Sequence, residues 1–241
     1  MKIIPSVLAV ALVCMFMSGC ASMAPSGPIE NDPLERTNRV LFDYTIKVDK
    51  AVIRPTAVAY RRVVPQDVRN SIRNVLNNFS SPGIFANDVL QGELDRAGVT
   101  ALRAGVNTTL GIGGILDVAA RWGYVRHSED LGQTLAVYGV PEGPYIFVPL
   151  LGPGNPRDLL GYALGFVFNP ISYIRWGNEI YVPYLINAVD LLDVRERNIE
   201  TLNDVEINSL DYYASVRSLY RQTRANEIRN GAMEIQDLPD F

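Results

Sequence analysis

The sequence predicts an all-α protein: a single domain of amphipathic helices joined by turns rich in glycine and proline. Apolar residues recur at the three- and four-residue spacing of helices, and no segment alternates convincingly as a strand would. Prolines stand where helices are expected to begin or end, and glycine clusters separate the periodic segments. About 220 residues remain after the N-terminal leader, enough for one large domain or two small ones, and we expect one.

Residues 1–19 have the composition of a secretory signal peptide. Lys2 is followed by an apolar run that ends at Met17, which is shorter than the roughly twenty residues needed to span a bilayer. Small residues then precede Cys20, which predicts cleavage before a cysteine that carries diacylglycerol. Because Met17 replaces the usual leucine of such sites, an ordinary cleaved signal is the alternative.

Residues 20–31 predict a short flexible tether between the lipid and the domain, because Ser, Pro, Gly and Ala dominate there. Cys14 lies in the leader, so no intramolecular disulfide is expected. Ala21, where inner-membrane lipoproteins usually carry Asp, favours the outer membrane. We assign residues 32–230 to the helical domain and residues 231–241 to an acidic flexible tail.

Composition excludes several classes of function. The 22 basic and 26 acidic residues give a net charge of −4, and an acidic chain is poorly suited to bind nucleic acid. His127 is the single histidine and lies in a polar stretch that predicts exposure, so zinc binding and histidine catalysis lack their usual residues. No serine nucleophile motif occurs, and the adjacent Glu129 and Asp130 predict a helix start. We therefore expect no catalytic residues, no metal and no cofactor.

The first helix is expected to begin at Asp32, as N-cap, with Pro33 in the first helical position, and to end before Pro55. A second helix begins at Pro65 and ends at Pro82. Its apolar face comprises Val68, Ile72, Val75, Leu76 and Phe79, opposite Arg69, Arg73 and Asn77. A short third helix over 84–91 and a fourth over about 95–109 follow.

The segment from Asn107 to Asp117 carries three glycines, Gly111, Gly113 and Gly114. It lacks the sixth-position glycine and the preceding strand of a dinucleotide-binding loop. Glycines permit positive φ and close backbone approach, so we interpret this segment as a tight turn between two helices.

The middle of the chain is nearly uncharged. Glu142 is the only charged residue from 132 to 155, and residues 159–174 have none. Either a buried core helix with loops or contact with lipid explains these stretches, and neither is a spanning helix. Tyr145, after Gly143 and Pro144, fits a headgroup boundary or the protein core equally well. Arg157 and Asp158 are expected to meet other partners rather than each other.

Polar amphipathic helices return from about residue 178. Twelve charged residues lie between Arg195 and Arg229. A series of apolar residues, called the apolar thread below, runs through the same segment and comprises Ile199, Leu202, Leu210, Tyr213 and Tyr220. This pattern predicts a solvated cap on the periplasmic side.

Several motifs in this order resemble the MlaA (VacJ) family of outer-membrane lipoproteins. They are Asp32-Pro33-Leu34-Glu35, Asn38-Arg39, Arg54-Pro55, Val64-Pro65, Asn78-Phe79, Leu90-Gln91-Gly92, Asn107-Thr108-Thr109, Gly111-Ile112-Gly113-Gly114, Asp117, Gly132-Gln133-Thr134-Leu135, Gly143-Pro144-Tyr145 and Arg157-Asp158. The resemblance extends from Asp32 to about Asp193, and the chain beyond Arg195 carries no such signature.

The resemblance implies a helical ring in one leaflet of the outer membrane, associated with a trimeric porin and enclosing an amphipathic channel. Its implied role is to remove misplaced outer-membrane phospholipids and pass them to a soluble periplasmic lipid carrier. From resemblance and position, we expect Gly111, Gly113 and Gly114 to shape the channel wall. We expect the first helix around Phe42, Tyr44 and Val48 to control opening. A porin-bracing lipoprotein without transport, or a phospholipase, are the competing interpretations.

Overall fold

The computed structural model describes residues 31–165 and 181–231 and confirms a mostly helical fold within them. A first helical stretch consists of α1 (Glu35–Val48), a π-helical turn (Asp49–Ile53) and α2 (Arg54–Val63). It is followed by α3 (Gln66–Gln91), α4 (Leu94–Thr109), α5 (Val118–Arg121) and α6 (Leu131–Val137). A hairpin of β1 (Ile146–Val148) and β2 (Gly152–Gly154) precedes α7 (Pro156–Gly165), α8 (Tyr181–Arg197), α9 (Ile199–Asn208) and α10 (Tyr212–Ile228).

Several sequence predictions fall outside the described residues. They concern the signal peptide, Cys20, nearly all of the tether, residues 166–174 of the second uncharged stretch, and all but the first residue of the C-terminal tail. No helix among the described residues is both long and apolar enough to cross a bilayer.

The expectation that no strand forms is wrong for one short hairpin. β1 and β2 pair antiparallel, with Ile146 opposite Gly154 and Val148 opposite Gly152. Leu150 and Gly152 have φ values of 67° and 93°, which turn the chain back on itself. Three-residue strands are too short for an alternating pattern to appear in the sequence.

Pro55 does not end the first helix, contrary to prediction. The π-helical turn before it shifts the backbone hydrogen bonds by one residue, so that the N–H of Arg54 donates to the carbonyl of Asp49. This widened turn accommodates a proline at the start of α2, and the helix then continues to Val63.

Pro82 does not end α3 either, so the predicted helix over 84–91 is the second half of one 26-residue helix. The proline lacks an N–H, and the hydroxyl of the preceding Ser81 donates to the carbonyl of Asn77 within the same turn. Gly92, with φ of 79°, provides the left-handed cap that ends the helix. The predicted start at Pro65 and the predicted helix over 95–109 are confirmed to within one residue.

Asp32 is not a helix N-cap, because its side chain is buried and bonded to distant residues. Its carboxylate accepts hydrogen bonds from Asn38 at 2.8 Å, from the hydroxyl of Tyr213 at 2.5 Å and from Arg217 at 2.7 Å. Leu34 occupies the cap position of α1 and makes no side-chain cap bond. The carboxylate therefore joins the beginning of the domain to α10.

Packing contacts between the helices run in a closed circuit. α8, α9 and α10 follow each other along the chain and are in contact. α10 packs on α6, α6 packs on α3, and α3 packs on α8, which closes the circuit. α2 also packs on α8. At one side of this circuit, Phe42 of α1 packs edge-to-face on Phe147 and Tyr213, with ring centroids 5.3 and 5.5 Å apart.

The interior is unusually polar. Among the described residues, eighteen polar or charged side chains are buried, against nine apolar ones. At the same time, thirty-two large apolar side chains are exposed, including Val68 and Phe79 from the apolar face of α3. A soluble domain normally shows the opposite preference, so this distribution suits a protein whose outer surface contacts lipid.

Six of the twelve charged residues from Arg195 to Arg229 form ion pairs with residues 32–61, and the prediction of a solvated cap is wrong for the buried ones among them, Arg195, Glu196 and Arg217. Asp193 is fully buried and accepts two hydrogen bonds from Arg73 at 2.9 and 3.0 Å. Arg195 donates two to Asp49 at 2.7 and 2.8 Å. Of the predicted apolar thread, Ile199 and Tyr213 are buried, whereas Leu210 is fully exposed.

Candidate functional site

A polar recess lies between α3 and α4. Asn74, Asn77, Asn78 and Ser81 follow each other at helical spacing on α3, so their side chains share one face of the helix. The opposing wall consists of Thr100, Arg103 and Asn107 of α4, with Asp117, Arg126 and His127 from the following segment. The cavity volume of the recess is about 20 Å³, which is room for about one or two water molecules.

The two faces of α3 that the sequence separates meet different surroundings. On the polar face, Asn77 lines the recess and Arg73 reaches the buried Asp193. The polar face therefore points into the protein and the apolar face is the more exposed one.

Asp117 is the electrostatic centre of the recess. Its carboxylate accepts hydrogen bonds from Arg103 and Asn107, both at 2.9 Å, and from the backbone N–H of Ala120 at 3.1 Å. Burial alone would raise the pKa of Asp117, but the bonds from Arg103 and Asn107 outweigh burial and hold the pKa below its ordinary value. The carboxylate is thus kept ionised while it caps α5.

His127 is half-buried rather than exposed, which corrects the sequence prediction. Its Nε2 atom lies 3.0 Å from both carboxylate oxygens of Asp88, a residue of α3 with no exposed surface. Thr100 donates to the same carboxylate at 2.8 Å. The histidine therefore joins the loop after α5 to the wall of the recess, and within the described residues no metal-ligating cluster surrounds it.

The glycine turn adjoins the recess, and its three glycines have different structural requirements. A Cβ at Gly111 would lie 2.3 Å from the carbonyl oxygen of Leu116, so this position requires close backbone approach. Gly114, with φ of 95°, faces Asn78, which would be 2.8 Å from an added Cβ. Gly113 has φ of 70° and only open space in the Cβ direction. The predicted tight turn is confirmed, and Gly114 ties it to the recess.

The turn presents apolar side chains beside these polar groups. Leu110 and Ile112 are each more than half exposed, and Ile115 and Leu116 are exposed as well. A polar recess and an apolar rim thus lie next to each other, which is the arrangement that an amphipathic ligand needs.

The residues predicted to control opening do not line this recess. Phe42 is buried in the aromatic cluster with Phe147 and Tyr213. Tyr44 is exposed, and Val48 is half-buried at the end of α1, immediately before the π-helical turn.

The motif around Tyr145 belongs to the core, which decides between the two interpretations of this residue. Its ring packs edge-to-face on Tyr213 at 6.1 Å, and only 2% of its surface is exposed. Gly143 has φ of 74°, and its carbonyl accepts a hydrogen bond from Asn31 at 2.7 Å. The half-buried Pro144 lies between Gly143 and Tyr145.

Arg157 and Asp158 do contact each other, at 3.1 Å, contrary to prediction. Asp158 also accepts hydrogen bonds from Tyr220 at 2.7 Å and Arg224 at 2.8 Å. Burial would raise the pKa of Asp158, but the bonds from Arg224 and Tyr220 outweigh it and lower the pKa. Arg224 further donates to Asp130, which also caps α6 as the sequence predicted.

Sequence reasoning missed the asparagines of α3 and Arg126 as residues of one recess. The spacing of Asn74, Asn77 and Asn78 was visible in the sequence, but it does not reveal whether a polar face points to solvent or inward. Arg126 lies in a loop, where no periodicity indicates its neighbours.

The chain is similar to proteins of one known family. The family model described as MlaA lipoprotein matches residues 30–227. The intermembrane phospholipid transport system lipoprotein MlaA of Escherichia coli (strain K12) is 31% identical over 237 residues, covering 96% of this chain and 92% of that one. The protein of that name from Haemophilus influenzae is 29% identical, with 98% and 96% coverage. A solved chain from work on the "structural basis for maintenance of bacterial outer membrane lipid asymmetry" is 32% identical with a TM-score of 0.74, covering 82% of this chain and 98% of that one.

Proposed function

Because this chain belongs to the MlaA lipoprotein family, we propose that it provides a passive amphipathic path for phospholipids misplaced in the outer leaflet of the outer membrane. In this proposal the phospholipids leave through a soluble periplasmic lipid carrier, and a trimeric porin holds the protein in the membrane. The protein supplies the path, and the energy for transport enters elsewhere.

The observation that carries the proposal is the apposition of the polar recess and the apolar rim of the glycine turn. A phospholipid that crosses hydrocarbon must leave the hydration shell of a charged headgroup, which costs many kcal/mol. The amide group of Asn77, whose side chain lines the recess, offers polar contacts in place of water, while Ile112 and Leu116 offer an apolar surface for acyl chains. Such a path lowers the barrier without any covalent step.

We further propose that a diacylglycerol on Cys20 anchors the chain. Ten residues separate Cys20 from Asn31, so the chain length allows at most about 40 Å between these two residues. Asn31 is held by Gly143 and by the N–H of Tyr145, which donates to its carbonyl at 2.8 Å. The tether therefore begins at a fixed point of the domain and keeps that point close to the membrane.

A Gly113→Trp substitution tests the path. The side chain would project into open space beside the recess, so we expect a folded and anchored protein with impaired transport. Gly92→Trp is a matched control, because Gly92 has a similar φ of 79° and equally open space but caps the far end of α3.

The assay measures phospholipid in the outer leaflet of a deletion strain of the source bacterium that carries each variant. Wild type and Gly92→Trp should restore asymmetry, and Gly113→Trp should not. Full rescue by a folded, anchored Gly113→Trp protein would refute the channel-wall role. No accumulation in the deletion strain would favour the porin-bracing alternative, and free fatty acid released by purified protein would favour a phospholipase.

A further inference from the structure

Arg126 is an uncompensated cation in the wall of the recess. Within residues 31–165 and 181–231 its guanidinium makes no hydrogen bond and no ion pair, although its side chain is exposed. Arg103, the other arginine of the recess, is in contrast bonded to Asp117 and to the carbonyl of Tyr124. The two cations therefore have different roles: Arg103 holds the wall together, and Arg126 is available to a ligand.

The surroundings of Arg126 are unfavourable to its charge. Although the side chain is exposed, neighbouring protein atoms displace part of the water around the guanidinium and lower its pKa, and the nearby positive charges of Arg103 and Arg197 lower it further. The acidic groups that act on it are Asp190, to which it is not bonded, and Asp117, which is already bonded to Arg103. An anion bound at Arg126 would relieve this imbalance.

The recess also holds an unused acceptor. The Oδ1 atom of Asn78 is buried without a hydrogen-bond donor, while its Nδ2 donates to Thr108 at 2.9 Å. Together with Arg126, this oxygen gives the recess one strong donor and one free acceptor. A phospholipid headgroup, with an anionic phosphate beside an ammonium or hydroxyl, has the complementary pair.

We propose that Arg126 binds the phosphate group of a glycerophospholipid as it passes the recess. A guanidinium presents two parallel N–H groups that match two phosphate oxygens. All glycerophospholipids carry this phosphate, so the contact recognises the class and does not discriminate between headgroups. The inference rests on the proposed function, because it names the part of the substrate that the recess contacts.

The test is titration calorimetry with purified full-length protein in detergent. The probes are dihexanoyl-phosphatidylethanolamine, dihexanoyl-phosphatidylglycerol and, as the ligand without phosphate, dihexanoylglycerol. Arg126→Gln should bind both phospholipids about tenfold more weakly than wild type and bind dihexanoylglycerol equally well. Arg126→Lys should lose less, because it keeps the charge.

Arg62→Gln is the matched control, since Arg62 is an exposed arginine of α2 outside the recess, and it should bind like wild type. Arg126→Gln should also unfold at or above the wild-type temperature, because the residue makes no bond within the described part of the chain and its charge is repelled by Arg103 and Arg197. Equal phospholipid binding by Arg126→Gln and wild type would overturn the inference alone. The inference would also be overturned if Arg126→Gln lost as much affinity for dihexanoylglycerol as for the phospholipids, because that result would indicate a change in the shape of the recess. If wild type binds neither phospholipid, the proposed function fails as well.

Discussion

Replacing Gly111 by alanine tests the close backbone approach in the glycine turn. An added Cβ would lie 2.3 Å from the carbonyl oxygen of Leu116 and 2.4 Å from that of Asn107. Carbon–oxygen contacts ordinarily begin at about 3.3 Å, so each contact is too short by roughly 1 Å. Both oxygens belong to the backbone, which cannot rotate away as a flexible side chain could.

The cost follows from these overlaps. Forcing an extra carbon into a packed site costs about 1–3 kcal/mol. The carbonyl of Asn107 also accepts a 2.8 Å hydrogen bond from the N–H of Gly114, and losing it adds about 1 kcal/mol. We therefore expect Gly111→Ala to lower the free energy of unfolding by about 2–4 kcal/mol.

Gly113→Ala is the internal comparison, because it meets no neighbouring atom. Its φ of 70° costs about 1–2 kcal/mol for a residue with a Cβ. Reduced freedom of the unfolded chain returns about 0.4–1 kcal/mol, which leaves a net loss near 1 kcal/mol. Urea unfolding in one detergent, followed by far-ultraviolet circular dichroism, measures both variants. A Gly113→Ala loss equal to or larger than that of Gly111→Ala would refute the reasoning.

Four further substitutions test other parts of the fold. Tyr145→Phe should leave stability unchanged or raise it, because the buried hydroxyl of Tyr145 has no hydrogen-bond partner. Tyr213→Phe should lower the free energy of unfolding by about 1.5–3 kcal/mol, because it removes a hydrogen bond to the buried carboxylate of Asp32. Equal unfolding midpoints for the two variants would contradict this expectation. The pKa of Asp158 is depressed in the folded state, so its contribution to stability is present above its ordinary pKa of 3.8 and is lost as pH falls below it. Arg224→Gln should therefore be less stable than wild type at pH 7, and its free energy of unfolding should fall by less than that of wild type between pH 5 and pH 2. Parallel pH profiles of stability for the two proteins would be inconsistent with this linkage. Pro82→Ala should stabilise the protein by about 1–3 kcal/mol, since Pro82 is exposed and alanine restores an N–H inside α3; a lower melting temperature would show that the proline is needed there.

Local sequence determined the helical segments themselves. Pro65 is the N-cap of α3, the periodic segment after Gly92 forms α4, and the clustered glycines form the turn that follows it. These features depend on spacing within a few residues, where helix geometry and the freedom of glycine decide the backbone. Asp130, which caps α6, was predictable for the same reason.

Only the tertiary structure decided which face of each helix points inward. Arg73 and Asp193 are 120 residues apart, and nothing in the local pattern of α3 indicates their pairing. Pro55 and Pro82 stand within continuous helical stretches because packing and a π-helical turn outweigh a local breaking signal. Helical periodicity separates a polar face from an apolar one, but the partner that each face meets is set by contacts across the whole chain. For this protein those contacts place the polar groups inside and many apolar groups outside.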